Sequence, residues 1–204
     1  MQPRLIASDL ACRRGDRILV RGVSFDLGSG EALHVTGANG IGKTTLIRTL
    51  AGLTSPFAGE ISRKGKIALL NDRPALDPDL ALGRAIQFWD RIDRAGDPDM
   101  ATTDLLGLTP LLDVPVRYLS TGQTKRAAMA VMIGSGSAIW LLDEPLSGLD
   151  SAAMKVVTQQ IERHLANDGV AIIASHQPLA ISGLKNLALG DYVPSAGLPE
   201  DVVG

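Results

Sequence analysis

Apolar residues along this chain occur in two kinds of run, and the alternation between them is its strongest regularity. "EALHVTG" (31–37), "KIALLND" (66–72), "AIWLLDEP" (138–145), "VAIIASH" (170–176) and "NLALG" (186–190) are short and nearly continuous, closed by Gly, Asp, Pro or His. Such runs read as strands, and "KIALLND" and "AIWLLDEP" as buried ones. Between them, "KTTLIRTLAGL" (43–53) carries apolar residues at helical spacing and stops at Gly52. "LALGRAIQFWDRIDRAG" (80–96) sets Leu82, Ile86, Trp89 and Ile92 down one side of an amphipathic helix. "SAAMKVVTQQIERHLANDG" (151–169) reads as a further helix ending at Gly169. Apolar strands alternating with helices predict an α/β fold, a mainly parallel sheet covered on both faces.

Two stretches depart from that alternation. "LIASDLACRRGDRILVRGVSFDLGSG" (5–30) mixes short β-prone runs with Gly and Asp turns, as in a small antiparallel sheet. The region from about 72 to 135 is mostly helical in pattern. With 204 residues and no internal repeat or low-complexity linker, the chain reads as one domain, 1–204.

Composition narrows the partners. Aromatic residues make up 3% of the chain and apolar residues 45%, so the core is aliphatic and stacking platforms for single-stranded nucleic acid are scarce. Twenty basic against twenty-two acidic side chains leave a net charge of −2, and basic residues cluster no further than pairs such as Arg13-Arg14. No nucleic-acid partner is expected. The single Cys12 rules out a disulfide framework within one chain and fits a reducing compartment. "MQPRLIASDLACRRGD" lacks the apolar core of a signal peptide, and the apolar stretch Ala127–Leu142 is broken by "GSGS" at 134–137. No direct membrane span is expected, so any membrane contact comes through another subunit.

Three motifs carry chemistry. Gly37-Ala38-Asn39-Gly40-Ile41-Gly42-Lys43-Thr44 matches G-x-x-x-x-G-K-[ST], with a strand before it and a helix after it. Glycines at this spacing let backbone N–H groups turn toward phosphates, and the helix N-terminus adds positive potential. Lys43 then reaches the β/γ-phosphates of a nucleotide, and the Thr44 hydroxyl ligates Mg²⁺. "IWLLDE" (139–144) delivers Asp143 to the end of an apolar strand, where it can hold a metal shell, with Glu144 facing the attacking water; alone, the two acids could equally cap the following turn. In "YLSTGQTKRAA" (118–128), Ser120 reads as an N-cap and Gln123, three residues on, as the partner in a capping box.

The order of these motifs resembles the ATP-binding cassette (ABC) ATPases over residues 4–190. "GANGIGKTT" (37–45) stands as Walker A, "LSTGQ" (119–123) as the signature, "IWLLDE" as Walker B with its glutamate, "SGLD" (147–150) as the D-loop, and His176 as the switch histidine. The resemblance implies a P-loop NTPase fold of the ABC ATPase type. A mainly parallel core with a small antiparallel β subdomain (1–71 and 136–204) would carry a helical subdomain (about 72–135). It implies ATP and Mg²⁺ as cofactors, Glu144 and His176 as catalytic residues, and Thr44 and Asp143 on the metal. Gly37 to Thr45, Thr45 included, would cradle the phosphates. Ser120, Gly122 and Gln123 would act in trans on nucleotide held by the other protomer, so the resemblance implies a homodimer of ATPase subunits with two ATPs at its interface. Asp150 would touch the partner's P-loop.

Three positions differ from the family pattern. Thr121 replaces a more usual glycine in the signature. "CRRGD" (12–16) offers Arg13 and Arg14 where an aromatic usually stacks on adenine; Arg14 could stack there through its planar guanidinium, or the segment is a solvated loop. Arg73 stands at the position of a metal-binding glutamine, and as arginine has only donors, either Asp72 takes that place or the metal keeps a water. The short C-terminal end, "SHQPL" (175–179) and "DPDLALGRAIQFW" (77–89) resemble the subgroup serving bacterial haem export in cytochrome c maturation. That subgroup works on integral membrane subunits at the cytoplasmic face of the inner membrane, as a peripheral ATPase. Another small-substrate ABC transporter, or an ATP-binding switch with slow hydrolysis, remains the alternative.

Overall fold

The computed structural model describes residues 2–71, 74–93 and 100–194. Asp72 and Arg73, on which the metal-binding alternatives turn, lie outside the described residues.

The N-terminal third forms the expected antiparallel sheet. β1 (Arg4–Arg14) and β2 (Arg17–Leu27) make a hairpin, and β4 (Ala58–Lys64) pairs antiparallel on the other edge of β1, giving the order β2-β1-β4. β4 has no counterpart in the hydrophobic pattern, because Ile61 alone of its seven residues is even half-buried. Register with β1 defines it instead.

The second sheet has five parallel strands. β3 (Ala32–Thr36), β5 (Ile67–Leu70), β6 (Ile139–Asp143), β7 (Val170–Ala174) and β8 (Lys185–Ala188) lie in the order β5-β6-β7-β3-β8. Every residue of β6 and β7 is buried, and alternation divides them between two apolar clusters. Ile139, Leu141 and Ile172 join Leu46, Ile47 and Leu50 of α1 (Lys43–Leu50) and the inner face of the antiparallel sheet. Trp140, Leu142 and Ile173 join the helices on the opposite face: Leu82 and Ile86 of α2 (Leu82–Asp93), Met129 and Met132 of α4 (Thr121–Gly134), and Val157 and Ile161 of α5 (Ser151–Ala166). The period of two in a strand thus serves both layers.

Two expectations are corrected here. β5 reads as a buried strand, yet three of its four residues are half-buried, because it is the edge of the sheet. Ile92, placed on the apolar side of the second helix, is 59% exposed, while Asp90 beside it is 5% exposed. The register of α2 against α4 explains the exchange: an added Cβ on Gly134 would come within 2.8 Å of an Asp90 carboxylate oxygen, so these helices approach closely at Gly134.

Region 72–135 is mostly helical where it is described. It comprises α2, α3 (Met100–Leu105), two 3-10 turns at Thr109–Leu111 and Val116–Tyr118, and α4. The Arg126 guanidinium donates to the Leu106 carbonyl (2.6 Å) and ties α4 to the end of α3.

On the same face of the sheet, the His164 ring stacks on Trp140 with centroids 3.9 Å apart and planes 7° apart. Burial holds the His164 pKa below its ordinary value, against hydrogen bonding to the Val170 and Ala138 backbones. His34 on β3, 6% exposed, is also held low by burial, against a backbone hydrogen bond at Ser175 and the charge of Glu144. Both rings bind protons less readily folded than unfolded. Their share of stability is therefore complete above the unfolded pKa of about 6.5 and is lost as pH falls through that value toward the folded one. Thermal unfolding followed from about pH 7.5 to 5.5 should show Tm falling, and His164→Phe, which keeps the stack, should flatten the slope. An unchanged slope in that variant would assign the pH dependence to other groups.

Candidate nucleotide-binding site

The loop after β3 runs straight into α1, and its glycines make the turn possible. Gly37, Gly40 and Gly42 have φ of 151°, 79° and 124°, a range that side-chain-bearing residues rarely adopt. Ile41 folds back over the loop, so that its Cγ2 would sit 3.1 Å from a Cβ on Gly37, and its N–H donates to the Ala38 carbonyl (3.3 Å). Lys43, 6% exposed, curls into the loop and donates to the Gly37 carbonyl at 2.8 Å.

Above this loop lies a cavity of about 680 Å³, large enough for a nucleotide. Asn39, Gly40, Gly42, Lys43, Thr44, Thr45, Arg14, Asp143 and Glu144 line it, as do Arg13, Leu19, Arg48 and Thr54. Among the described lining residues, four side chains are cationic (Arg13, Arg14, Lys43, Arg48) and two acidic (Asp143, Glu144). That excess suits a polyanion. The Arg13 guanidinium lies over the Phe57 ring, 5.4 Å from its centroid, at the rim. Gly37, Ala38 and Ile41 shape the loop from beneath rather than facing the cavity.

Glu144 is the centre of the charged cluster. It follows the buried strand β6 and has φ of +48°, a left-handed backbone that costs about 1–3 kcal/mol for a non-glycine residue. Its peptide is held at both ends: the N–H donates to the Ala174 carbonyl (2.8 Å), and its own carbonyl accepts from Lys125 Nζ (2.7 Å). The twist aims one carboxylate oxygen at His176 Nδ1 (2.9 Å) and the other toward Lys43 Nζ (3.6 Å). Three sequence-distant candidates, Lys43, Glu144 and His176, thereby meet. His176 itself stands on the exposed end of the segment after β7, where the buried Ser175 donates its N–H to the Val35 carbonyl (3.2 Å).

The signature segment is built as its residue types predict and lies elsewhere. Ser120 caps α4, its hydroxyl accepting from the Gln123 N–H (3.3 Å) while the Gln123 side chain accepts from the Ser120 N–H (2.8 Å). None of Ser120, Gly122 and Gln123 lines the cavity above the loop of its own chain. Gly122 has a further reason to be glycine: an added Cβ would come 2.9 Å from the Gly148 carbonyl oxygen, where α4 packs against residues 147–149. Lys125, whose Nζ reaches the Glu144 carbonyl, and Arg48 and Thr54, which line the cavity, stand at no motif position.

Comparison with known proteins gives the family and the fold. The ABC transporter family model matches residues 20–147. The chain is 56% identical to the cytochrome c biogenesis ATP-binding export protein CcmA of Novosphingobium aromaticivorans, over 93% of this chain and 97% of that one. It is 48% identical to the protein of that name from Sphingopyxis alaskensis (91% and 97% covered), and 42% identical to that of Zymomonas mobilis (95% and 88%). Among solved structures, the ATP-binding subunit of an ABC transporter superposes with a TM-score of 0.77 at 21% identity, over 84% of this chain and 79% of that one. That last likeness speaks for the fold alone.

The close approach at Gly122 yields a test on the isolated chain. Gly122→Ala should cost about 1–3 kcal/mol by overpacking against the Gly148 carbonyl, and in a chain of this size each kcal/mol lowers Tm by roughly 2–4 °C. A thermal melt that superimposes on wild type would show that the helix start yields freely.

Proposed function

The chain belongs to the ABC transporter family, among its cytochrome c biogenesis ATP-binding export proteins, and from that premise we propose how its residues hydrolyse ATP and what the hydrolysis drives. The chain is an ATPase subunit of an exporter, and so has membrane partner subunits; no helix among the described residues is long and apolar enough to cross a membrane.

In our reading, ATP lies with its phosphates on residues 37–45. Lys43 exchanges its bond to the Gly37 carbonyl for the β/γ-phosphates, and the base rests at the rim against Arg14, beside the Arg13–Phe57 pair. Glu144 receives the proton of the attacking water, and His176 holds the carboxylate in place and contacts the γ-phosphate, a positioning role suited to loose phosphoryl transfer. The observation that carries this reading is the convergence of Lys43, Glu144 and His176 beside a cationic cavity.

Thr44 and Asp143 both line that cavity and present hard oxygen donors, a set that fits Mg²⁺, which takes one or two protein oxygens and completes its shell with water and phosphate. Bound there, Mg²⁺ would offset the charge of the β/γ-phosphates. Two chains would form a homodimer in which Ser120, Gly122 and Gln123 of each close over nucleotide held by the other, since the signature does not reach its own cavity. Residues 1–71 and 136–204 would act as the core, with 72–135 as the helical unit that relays closure to the membrane subunits. A cleft lined by Leu69, Asn71, Pro74, Trp89 and Val131 lies between β5 and that unit and supports this assignment. The work done would be haem export or delivery for cytochrome c maturation, at the cytoplasmic face of the inner membrane.

ATP turnover by the complex assembled with its membrane subunits tests the site. Lys43→Ala should lower turnover on the order of 10²-fold or more, and normal turnover would reject the P-loop assignment. Glu144→Gln should bind ATP but stall, so that size-exclusion chromatography with ATP shows a dimer; a chain that stays monomeric speaks against the two-ATP sandwich. Arg14→Ala should raise KM for ATP about two- to fivefold with kcat retained, the worth of one exposed cation–π stack.

A further inference from the structure

We propose that Lys125 is a positioning residue for hydrolysis, its buried ammonium holding the Glu144 peptide in the one conformation that aims the carboxylate into the site. The inference rests on the reading of Glu144 as the group that receives the water proton.

A lysine that is 6% exposed is uncommon, because removing an ammonium from water is costly unless its hydrogens find acceptors. Lys125 Nζ donates to the Glu144 backbone carbonyl at 2.7 Å and to the Ser147 hydroxyl at 2.6 Å. The contact is with the main chain of Glu144, and its carboxylate is directed instead at His176 and Lys43. Lys125 can therefore fix the direction of the carboxylate without taking the side-chain oxygens that a proton would need.

The need for such a clamp follows from the backbone. Glu144 sits at φ +48°, where an L-residue is strained and relaxes toward the right-handed region unless held. The Ala174 carbonyl holds the N–H of this peptide pair and Lys125 holds the carbonyl. Releasing the carbonyl frees the turn to unwind, which rotates the Cα–Cβ bond and swings the carboxylate away from His176 Nδ1. Lys125 also lies five residues after the helix cap Ser120, and Ser147 lies in the loop against which Gly122 packs. Displacement of the start of α4 thus reaches the Glu144 peptide through one rigid helix turn and one side chain.

The test uses the complex assembled with its membrane subunits, with kcat and KM for ATP measured for Lys125→Met, Lys125→Arg, Glu144→Gln and the Glu144→Gln/Lys125→Met pair. Lys125→Met keeps the unbranched stem and removes the donors. Its kcat should fall about 10- to 100-fold through misorientation, with KM changed by less than about twofold. Lys125→Arg, which keeps charge and donors, should return kcat to within about threefold of wild type. In single-turnover measurements on the Glu144→Gln background, adding Lys125→Met should cause no further loss, since both changes act on one carboxylate. Wild-type kcat in Lys125→Met, or a loss of equal size in both backgrounds, overturns the proposal. Should Lys125→Met fail to fold, Lys125→Arg decides alone: turnover within threefold of wild type is required, and a folded but inactive Arg variant overturns it. Full turnover in Glu144→Gln would instead reject the reading of Glu144, an outcome separate from the failure of Lys125.

Discussion

A carboxylate held in a left-handed turn at the end of a buried strand is the constraint on which the rest of the site depends. β6 is buried throughout and flanked on both sides by parallel strands, so its end is stiff. Beyond it, the chain must bring a charged side chain out of the core within a single residue. The twist at Glu144 does this, and the Ala174 carbonyl on one side and Lys125 on the other hold it. Relaxing that turn would separate the carboxylate from both Lys43 and His176, which stand on different elements and are joined through it.

The scaffold follows from an aliphatic core with few aromatic residues. Branched side chains alternate across β6 and β7 into two layers, one against α1 and the antiparallel sheet, the other against α2, α4 and α5. Because the strands are parallel, the ends of β3, β6 and β7 lie together, and Lys43, Asp143, Glu144 and His176 stand at or just beyond them. Ligands in open α/β sheets bind at the carboxyl ends of the strands for this reason. The cationic cavity is a product of that topology as much as of the motif that names it.

What could be read from the sequence follows the range of the interactions involved. The P-loop, the Walker B strand and the capping box were legible because each is closed within a few residues and its chemistry fixes its spacing. The parallel sheet was legible because buried strands are nearly uniform in character. β4 was not, since its residues are almost all exposed and only its pairing with β1 makes it a strand. Ile92 fits the helical period of α2 and is nevertheless exposed, because periodicity gives a face without saying how far the neighbouring helix extends along it. Lys125 reads as one half of a basic pair, and its partners lie 19 and 22 residues away on another element. Nothing local marks such a contact.

The two tryptophans occupy places that differ in kind. Trp140 stands in the strand layer beneath His164, its indole N–H donating to the Ser137 carbonyl (3.1 Å). Trp89 stands on α2 at the cleft beside β5, its indole N–H donating to the Ala75 carbonyl (2.6 Å). The molecule therefore contains two tryptophan fluorophores in different surroundings, one buried in the apolar layer and one at the cleft. Emission from Trp140 is sensitive to the charge of the imidazole stacked upon it, while emission from Trp89 is sensitive to water entering the cleft, so single-tryptophan variants would resolve proton uptake and helical movement as independent optical signals.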